Sequence, residues 1–325
     1  MADNFIKKEN FMFLNYEQIK EITVGAVYTE NTDEGMRFYK LSPSVKAKLE
    51  GISENFGIAA RCSTGIRLDF HTNSKHLNLE IESPAKFEVY VNGLLRRFIK
   101  DETTLSMDID VAYGRSLDDT RITIYFPAHK RGKLKSLELD DGAYVRPHKF
   151  DRSILFLGDS ITQGWDTQFD SLSFANKVSR HFNADSVVQG VGGACFFPEH
   201  LEKLQKDFDW VVVAYGTNDF DKRKEFDVFY SYMSEYMSKL SELYGDKKVF
   251  VISPIWRRLS KPEAQERFEV YRKAIAAEAE KYGFISVDGA LLVPPVAELY
   301  TDGLHPNDIG FSIYAENLIR IMENS

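Results

Sequence analysis

The pattern of apolar and polar residues changes near the middle of the chain. Between about residues 35 and 145 the two kinds alternate, as in HLNLEIE (76–82) and KFEVYV (86–91). Alternation of period two places the apolar side chains on one face of a β-strand. Asn92-Gly93 lies between two such runs and predicts a tight hairpin, because both turn residues need a positive φ. No helical pattern of about ten residues interrupts this region, so the sequence predicts an all-β sandwich of the jelly-roll type.

Beyond this region, apolar segments of strand length alternate with helical patterns. Segments that are apolar throughout and separated by helices predict a parallel sheet covered on both faces. The polar segment DDGAYVRPHKFDR lies between the two patterns. We therefore predict a β-sandwich domain over residues 1–149 and a three-layer, flavodoxin-like α/β domain over residues 150–325. The predicted strands of the second domain are Ile154–Leu157, Ser186–Gln189, Trp210–Tyr215, Val249–Ile252 and Phe284–Val287.

Two helices of the second domain have distinct sequence signals. Apolar residues recur at helical spacing from Phe226 to Leu240. A second helix is predicted to begin at a capping box formed by Ser260 and Glu263 and to end at Gly283.

Composition and charge narrow the class of protein. With 43% hydrophobic and 28% charged residues, the chain is typical of a globular protein. The net charge of −8 and the absence of a long basic block argue against nucleic acid or an anionic membrane as partners. The sequence contains no apolar stretch of about 18 residues that would span a bilayer, and its start does not resemble a secretory signal. Two widely separated cysteines, Cys62 and Cys195, then favour a cytoplasmic protein with free thiols. The oligomeric state stays open.

Polar residues follow several of the predicted strands at their carboxyl ends, where ligands bind in parallel sheets. The first segment is Gly158-Asp159-Ser160, directly after an apolar strand. Ser160 is either the N-cap of the helical turn that follows or an exposed nucleophile. The tripeptide alone does not decide between these roles.

Two further segments contain candidate donors for an oxyanion. The loop from Gly190 to Gly193 lets the backbone approach a ligand closely, and its N–H groups either bind an oxyanion or belong to an ordinary turn. Asn218 follows the next strand along the chain. Its side-chain amide either donates to a developing negative charge or closes an Asx-turn.

A fourth segment, YTDGLHPNDIG, contains Asp302 and His305. A carboxylate three residues before a histidine can hold the imidazole Nδ1–H while Nε2 faces outward as a general base. The alternative is a surface loop with a solvated histidine. All four segments converge on one edge of the predicted sheet, which favours a catalytic site.

Together these blocks resemble the SGNH (GDSL-type) hydrolases over about residues 152–323. The sequences GDS, GVGG, GTND and DGLH correspond, in this order, to the family's first, second, third and fifth blocks. Val188 stands where the family often has Asn, which leaves the anchoring of the glycine loop open.

The resemblance implies a role for each matching residue. Ser160 would be the nucleophile, His305 the base, and Asp302 the residue that orients His305. The oxyanion hole would comprise the backbone N–H groups of Ser160 and Gly193 and the side chain of Asn218. The implied chemistry requires neither a metal ion nor an organic cofactor.

A β-sandwich before such a domain resembles the carbohydrate esterases of family two and related bacterial acylhydrolases. This implies a serine esterase that removes small acyl groups, O-acetyl above all, from a carbohydrate or glycoside. The alternatives are a lipase or thioesterase for longer acyl chains, and a non-catalytic carbohydrate-binding protein. The sandwich would either bind sugar or shape one wall of the cleft. The candidate substrate-binding residues are Asp159, Trp165, Cys195 and Trp256.

Overall fold

The N-terminal region consists of two antiparallel sheets packed face to face. The computed structural model describes residues 10–82, 84–109 and 117–325. In these residues one sheet has the strand order β3-β4-β11-β6-β9 with β1 on β11, and the other has the order β12-β5-β10-β7-β8 with β2 on β5. The strands are β1 Phe11–Phe13, β2 Thr23–Val24, β3 Tyr28–Thr32, β4 Gly35–Tyr39, β5 Arg67–Thr72, β6 His76–Ile81, β7 Phe87–Val91, β8 Leu94–Ile99, β9 Thr104–Asp108, β10 Thr120–Tyr125, β11 Lys133–Asp140 and β12 Val145–Pro147.

The alternating pattern explains this sandwich directly. The apolar residues of β6 and β7 are almost completely buried in the core between the sheets. Asn92 and Gly93 join β7 to β8 with φ values of 49° and 81°. The predicted hairpin and sandwich are therefore confirmed.

In the described part of this region, three α-helices accompany the strands: α1 Tyr16–Glu21, α2 Pro43–Ile52 and α3 Glu54–Arg61. The prediction that no ten-residue helix interrupts the β region is wrong, because α2 has that length. Its buried face is narrow, with only Val45 and Leu49 inside, so the apolar pattern is weak. The starts are nevertheless capped, since Ser42 and Ser53 each accept an N–H from the first turn of α2 and α3.

The C-terminal region contains a parallel sheet with helices on both faces. The strand order is β14-β13-β15-β16-β17. One apolar core lies between the sheet and α7 and α8, and a second lies between the sheet and α5 and α9. The predicted three-layer α/β domain is confirmed. Its elements are β13 Arg152–Gly158, α4 Ser160–Gln163, α5 Phe174–His181, β14 Ala184–Gly190, β15 Trp210–Ala214, α6 Thr217–Lys222, α7 Phe226–Tyr244, β16 Lys248–Ile252, α8 Pro262–Lys281, β17 Ile285–Val287 and α9 Asp308–Glu323.

The start of α8 differs from the prediction. Lys261 is the N-cap residue, and no side chain caps this end, so the capping box of Ser260 and Glu263 does not form. Proline disfavours the helical conformation for the residue before it, which keeps Lys261 out of the helix and starts the helix at Pro262. The helix ends as expected next to Gly283, which has a φ of +74°.

The two regions pack closely against each other. A Cβ atom at Gly65, which has a φ of +71°, would lie 2.5 Å from the Val188 side chain. Arg67 is also buried and donates to the Ala184 carbonyl at 2.8 Å. Val188 therefore serves as a packing residue at this interface. The division at residue 150 stays a prediction. Among the described residues, no helix is both long and apolar enough to cross a membrane.

Candidate active site

The nucleophile candidate lies at the turn between β13 and α4. Asp159 is the N-cap of α4, and its Oδ1 accepts the Ile161 N–H at 2.9 Å. Ser160 is the first residue of the helix and is 8% exposed. Its Oγ lies 2.9 Å from Nε2 of His305. The capping function considered for Ser160 is thus performed by its neighbour.

His305 lies between the serine and a carboxylate. Its Nδ1 is 2.8 Å from Oδ2 of Asp302. The other oxygen of Asp302 accepts the backbone N–H groups of Leu304 and His305, at 2.9 and 2.8 Å. Burial alone would raise the pKa of Asp302, but the hydrogen bonds from His305 and Leu304 outweigh it and lower this pKa. The carboxylate therefore stays ionised and holds the ring.

The glycine loop after β14 is held at several peptide groups. The peptide between Gly190 and Val191 is bound at both ends, because the Gly190 carbonyl accepts from Lys40 Nζ at 2.7 Å and the Val191 N–H donates to Gly158 at 3.0 Å. The next peptide is held by the Gly192 N–H, which donates to Gln163 Oε1 at 2.9 Å. The Gln163 side chain thus anchors the glycine loop, a role that Val188 cannot perform because its side chain forms no hydrogen bonds.

The end of the loop is held in the same manner. The Ala194 N–H donates to the Val191 carbonyl at 3.0 Å, and the Gly193 carbonyl accepts from the Lys222 ammonium. Among the hydrogen bonds of the described residues, none uses the N–H of Gly193, which has a φ of +79°. The peptides on both sides of the Gly193 N–H are hydrogen-bonded, and they therefore fix the direction in which this N–H points.

Asn218 lies in the first turn of α6, after β15. Its Nδ2 donates to the Ala194 carbonyl at 3.0 Å and to Asp159 Oδ2 at 3.3 Å. Burial, with a further contribution from the nearby Asp219, raises the pKa of Asp159 to about 7. Asp159, a candidate substrate-binding residue, is buried, does not line the cleft, and contacts Asn218 instead.

These residues line a cleft of about 520 Å³ between the two regions. One side carries Ser160, Gly193, Asn218 and His305. The other side comes from the N-terminal region, whose role as one wall of the cleft was one of the two considered, but its residues were not predicted, because no local pattern reports a contact between domains. The additional lining residues are Asn55, Ile58, Ala59, Cys62, His129, Gln163, Gly192 and Leu304.

The candidate substrate-binding residues differ in their positions. Trp165 lines the cleft, is 42% exposed, and has its ring 6.2 Å from that of His305. Cys195 is buried in the core beneath the glycine loop, where burial raises the pKa of its thiol to about 12. Trp256 packs on Tyr300 with ring centroids 4.9 Å apart. Neither Cys195 nor Trp256 lines the cleft, because Cys195 packs in a small cavity lined by both regions and Trp256 packs against the core of the α/β domain.

One group of possible metal ligands lies within the described residues. The donor atoms of Asp166, Asp302 and His305 lie within 4.8 Å of one another. Both ring nitrogens of His305 already face Ser160 and Asp302, and the Thr301 hydroxyl donates to Asp166 at 2.7 Å. Hydrogen bonds within the protein therefore account for this group.

Comparison with known proteins agrees with this architecture. Residues 156–313 match the model of the GDSL-like lipase/acylhydrolase family. No curated protein matches the sequence of the chain. A salicylyl-acyltransferase from a tetracycline biosynthetic pathway has a TM-score of 0.78 at 19% identity, covering 93% of this chain and 94% of its own. A family two carbohydrate esterase from Clostridium thermocellum has a TM-score of 0.65 at 15% identity, covering 93% and 98%.

The fold and the arrangement of its strand ends define an SGNH-type α/β domain behind an N-terminal β-sandwich. At these identities the solved structures establish the fold alone. The family match is specific to the α/β domain, which belongs to the GDSL-like lipase/acylhydrolase family. The family match supports a carboxylic ester hydrolase.

Proposed function

We propose that the protein hydrolyses esters through an acyl-enzyme on Ser160. His305 Nε2 accepts the hydroxyl proton as Oγ attacks the ester carbonyl, and the proton then passes to the leaving alcohol. Water attacks the acyl-enzyme by the same route and releases the acid. The observation that carries this proposal is the continuous chain of two hydrogen bonds from Ser160 through His305 to Asp302, at the mouth of a cleft.

The proposed oxyanion hole follows from the backbone hydrogen bonds. Gly193 contributes the loop N–H for which the described residues supply no acceptor, and Ser160 contributes an N–H from the first turn of α4. Asn218 supplies a third donor by exchanging its longer bond, the one to Asp159, for the oxyanion. These donors line the same cleft as the Ser160 hydroxyl.

The favoured substrate is a small acyl ester, O-acetyl above all, on a carbohydrate or glycoside. Family two carbohydrate esterases share the two-domain fold, which supports this class by analogy. The exposed ring of Trp165 beside His305 offers a stacking surface for a sugar.

Longer or bulkier acyl groups are the second candidate. The α3 side of the cleft is apolar at Ile58, Ala59 and Cys62, and Ile58 is half exposed. A cleft of about 520 Å³ also exceeds what an acetyl group fills. Relative rates on acetyl to decanoyl esters distinguish the two candidates, because an acetylesterase loses activity as the chain lengthens.

The central test is fluorophosphonate labelling combined with an ester panel that includes acetylated sugars. We expect wild-type protein to label and to hydrolyse esters, and Ser160→Ala to do neither. Ser312→Ala is the matched control, because that hydroxyl only bonds the Asp308 carbonyl within α9. Wild-type protein that neither labels nor hydrolyses any activated ester would refute the proposed function.

A further inference from the structure

Lys40 is a fully buried lysine at the contact between the two regions, directly after β4. Its Nζ donates to the Gly190 carbonyl at 2.7 Å and to Thr64 Oγ1 at 2.8 Å. Its own carbonyl accepts from Gln189 Nε2 at 3.0 Å. Lys40 of the N-terminal region thus forms hydrogen bonds with two adjacent residues at the start of the glycine loop, Gln189 and Gly190.

A second buried lysine shows how unusual Lys40 is. Lys133, also in the N-terminal region, pairs with Glu34 and Glu82. No ion pair among the described residues includes Lys40. Burying an ammonium without a carboxylate destabilises the folded state, so packing alone does not explain a lysine at this position.

The Lys40 ammonium is nevertheless charged at neutral pH. Burial lowers its pKa to about 8, which still favours the protonated form at pH 7. Burial also raises the pKa of the nearby Cys62 thiol and lowers the pKa of His129 to about 4, so both neighbours are neutral. Lys40 therefore supplies the positive charge against the glycine loop at its Gly190 end.

Hydrogen bonds continue from Lys40 to the other end of the glycine loop. The Thr64 hydroxyl donates to the Ala128 carbonyl at 2.9 Å, and Gln163 Nε2 donates to the same carbonyl at 2.8 Å. Gln163 Oε1 accepts the Gly192 N–H at 2.9 Å. The loop is therefore bound at Gly190 and at Gly192 by one network that crosses both regions.

We propose that Lys40 is a positioning residue for ester hydrolysis, which holds the glycine loop so that the Gly193 N–H faces the reacting carbonyl. This inference rests on the proposed function. A loop with three glycines in four residues has little stiffness of its own, and a small displacement of an oxyanion donor lowers the rate of the chemical step. The N-terminal region is then part of the catalytic machinery as well as a wall of the cleft.

Lys40→Met tests the inference, since methionine keeps an unbranched side chain without the charge. We expect kcat to fall by about 10- to 100-fold, with KM changed by less than about threefold. The rate of fluorophosphonate labelling should fall in parallel. The melting temperature should stay equal or rise, because the cost of burying the charge is removed.

Two further variants separate positioning from folding. Thr64→Val keeps the charge but breaks the link to Ala128, and we expect kcat to fall by about threefold to tenfold. Lys133→Met is the control, with a lower melting temperature and unchanged kcat. All rates are measured well below each melting temperature and per labelled active site.

Unchanged kcat in Lys40→Met or, should that variant not fold, in Thr64→Val would overturn the inference. A loss confined to KM would overturn it equally, since it would indicate substrate binding. In either case wild-type activity would leave the proposed function standing. An inactive wild-type protein would instead remove both.

Discussion

The two regions of the molecule contribute to the cleft in different ways. The parallel sheet supplies Ser160, Asn218 and the glycine loop from the carboxyl ends of adjacent strands, and His305 joins them from just before α9. The sandwich supplies α3 and His129 as the opposite wall, with Lys40 beneath the loop. The α/β region therefore supplies the reacting groups, whereas the sandwich shapes the cleft and supports the glycine loop.

The range of the contacts differs as well. Asp302 binds a histidine three residues away, and Asp159 caps its own helix. Lys40 and Gly190, by contrast, are separated by 150 residues. Each catalytic motif is thus built locally, although His305 meets Ser160 across 145 residues, whereas the support of the glycine loop comes from contacts between the two regions.

Removing the amide of Asn218 should affect the chemical step. We expect Asn218→Ala to lower kcat by about 10²- to 10³-fold, the usual loss for one oxyanion donor, with little change in KM. Asn55→Ala, in the opposite wall of the same cleft, should change KM and leave kcat nearly unchanged. Steady-state kinetics on one activated ester measure both, and equal effects on kcat would contradict the division between the regions.

The contact between the regions should be sensitive to one methyl group. Gly65→Ala places a Cβ atom 2.5 Å from Val188 at a φ of +71°, so we expect a loss of about 2–4 kcal/mol in unfolding free energy. Gly142→Ala is the matched control, because φ is +78° but no atom lies within 4 Å of the added Cβ. It should lose only about 1–2 kcal/mol in urea denaturation. Equal losses would show that the interface accommodates the methyl group.

His129 should make stability depend on pH. Burial lowers its pKa from 6.5 to about 4, outweighing the hydrogen bond to the Gly164 carbonyl. The unfolded chain therefore binds more protons between these values, and stability falls as the pH falls from 6.5 towards 4. The loss from this residue amounts to up to about 3 kcal/mol. Melting curves should show a shallower acid loss in His129→Gln, and identical pH dependence would disprove this role.

The smallest expected effect concerns the α3 wall. Ile58→Ala should lower kcat/KM on hexanoyl esters by about threefold to tenfold relative to acetyl esters, because a longer chain loses an apolar contact. Ile52→Ala is the control, since Ile52 is 46% exposed on α2 but lies outside the cleft. An unchanged ratio in Ile58→Ala would show that the acyl group lies elsewhere.

Regular elements and their order were largely predictable from the sequence. The parallel strands were found within a few residues, and the Asn92-Gly93 hairpin forms as expected. The helix α2 was missed because only Val45 and Leu49 are buried on it, too few for a visible period. The capping box at Ser260 failed because Pro262 imposed a later start on α8.

The site residues, too, were predictable where a local motif marks them and not where only tertiary contacts place them. Ser160, Asp302 and His305 were recognisable because each belongs to a short motif at the end of an element, and parallel strands bring such ends together. The residues that form the opposite wall were not predictable, since Ile58 and His129 carry no motif. Cys195 and Trp256 were misplaced because residue type alone does not distinguish an aromatic or thiol in a cleft from one in a core.

The sequence by itself determined which chemistry-bearing residues stand at the strand ends and which periodicity each half of the chain follows. Local spacing and local capping dictate both, since they act over a few residues. The tertiary structure decided how the glycine loop is held, which apolar residues face the cleft, and that a buried ammonium lies beneath Gly190. Those features depend on contacts across up to 150 residues, whose packing and desolvation no short segment encodes.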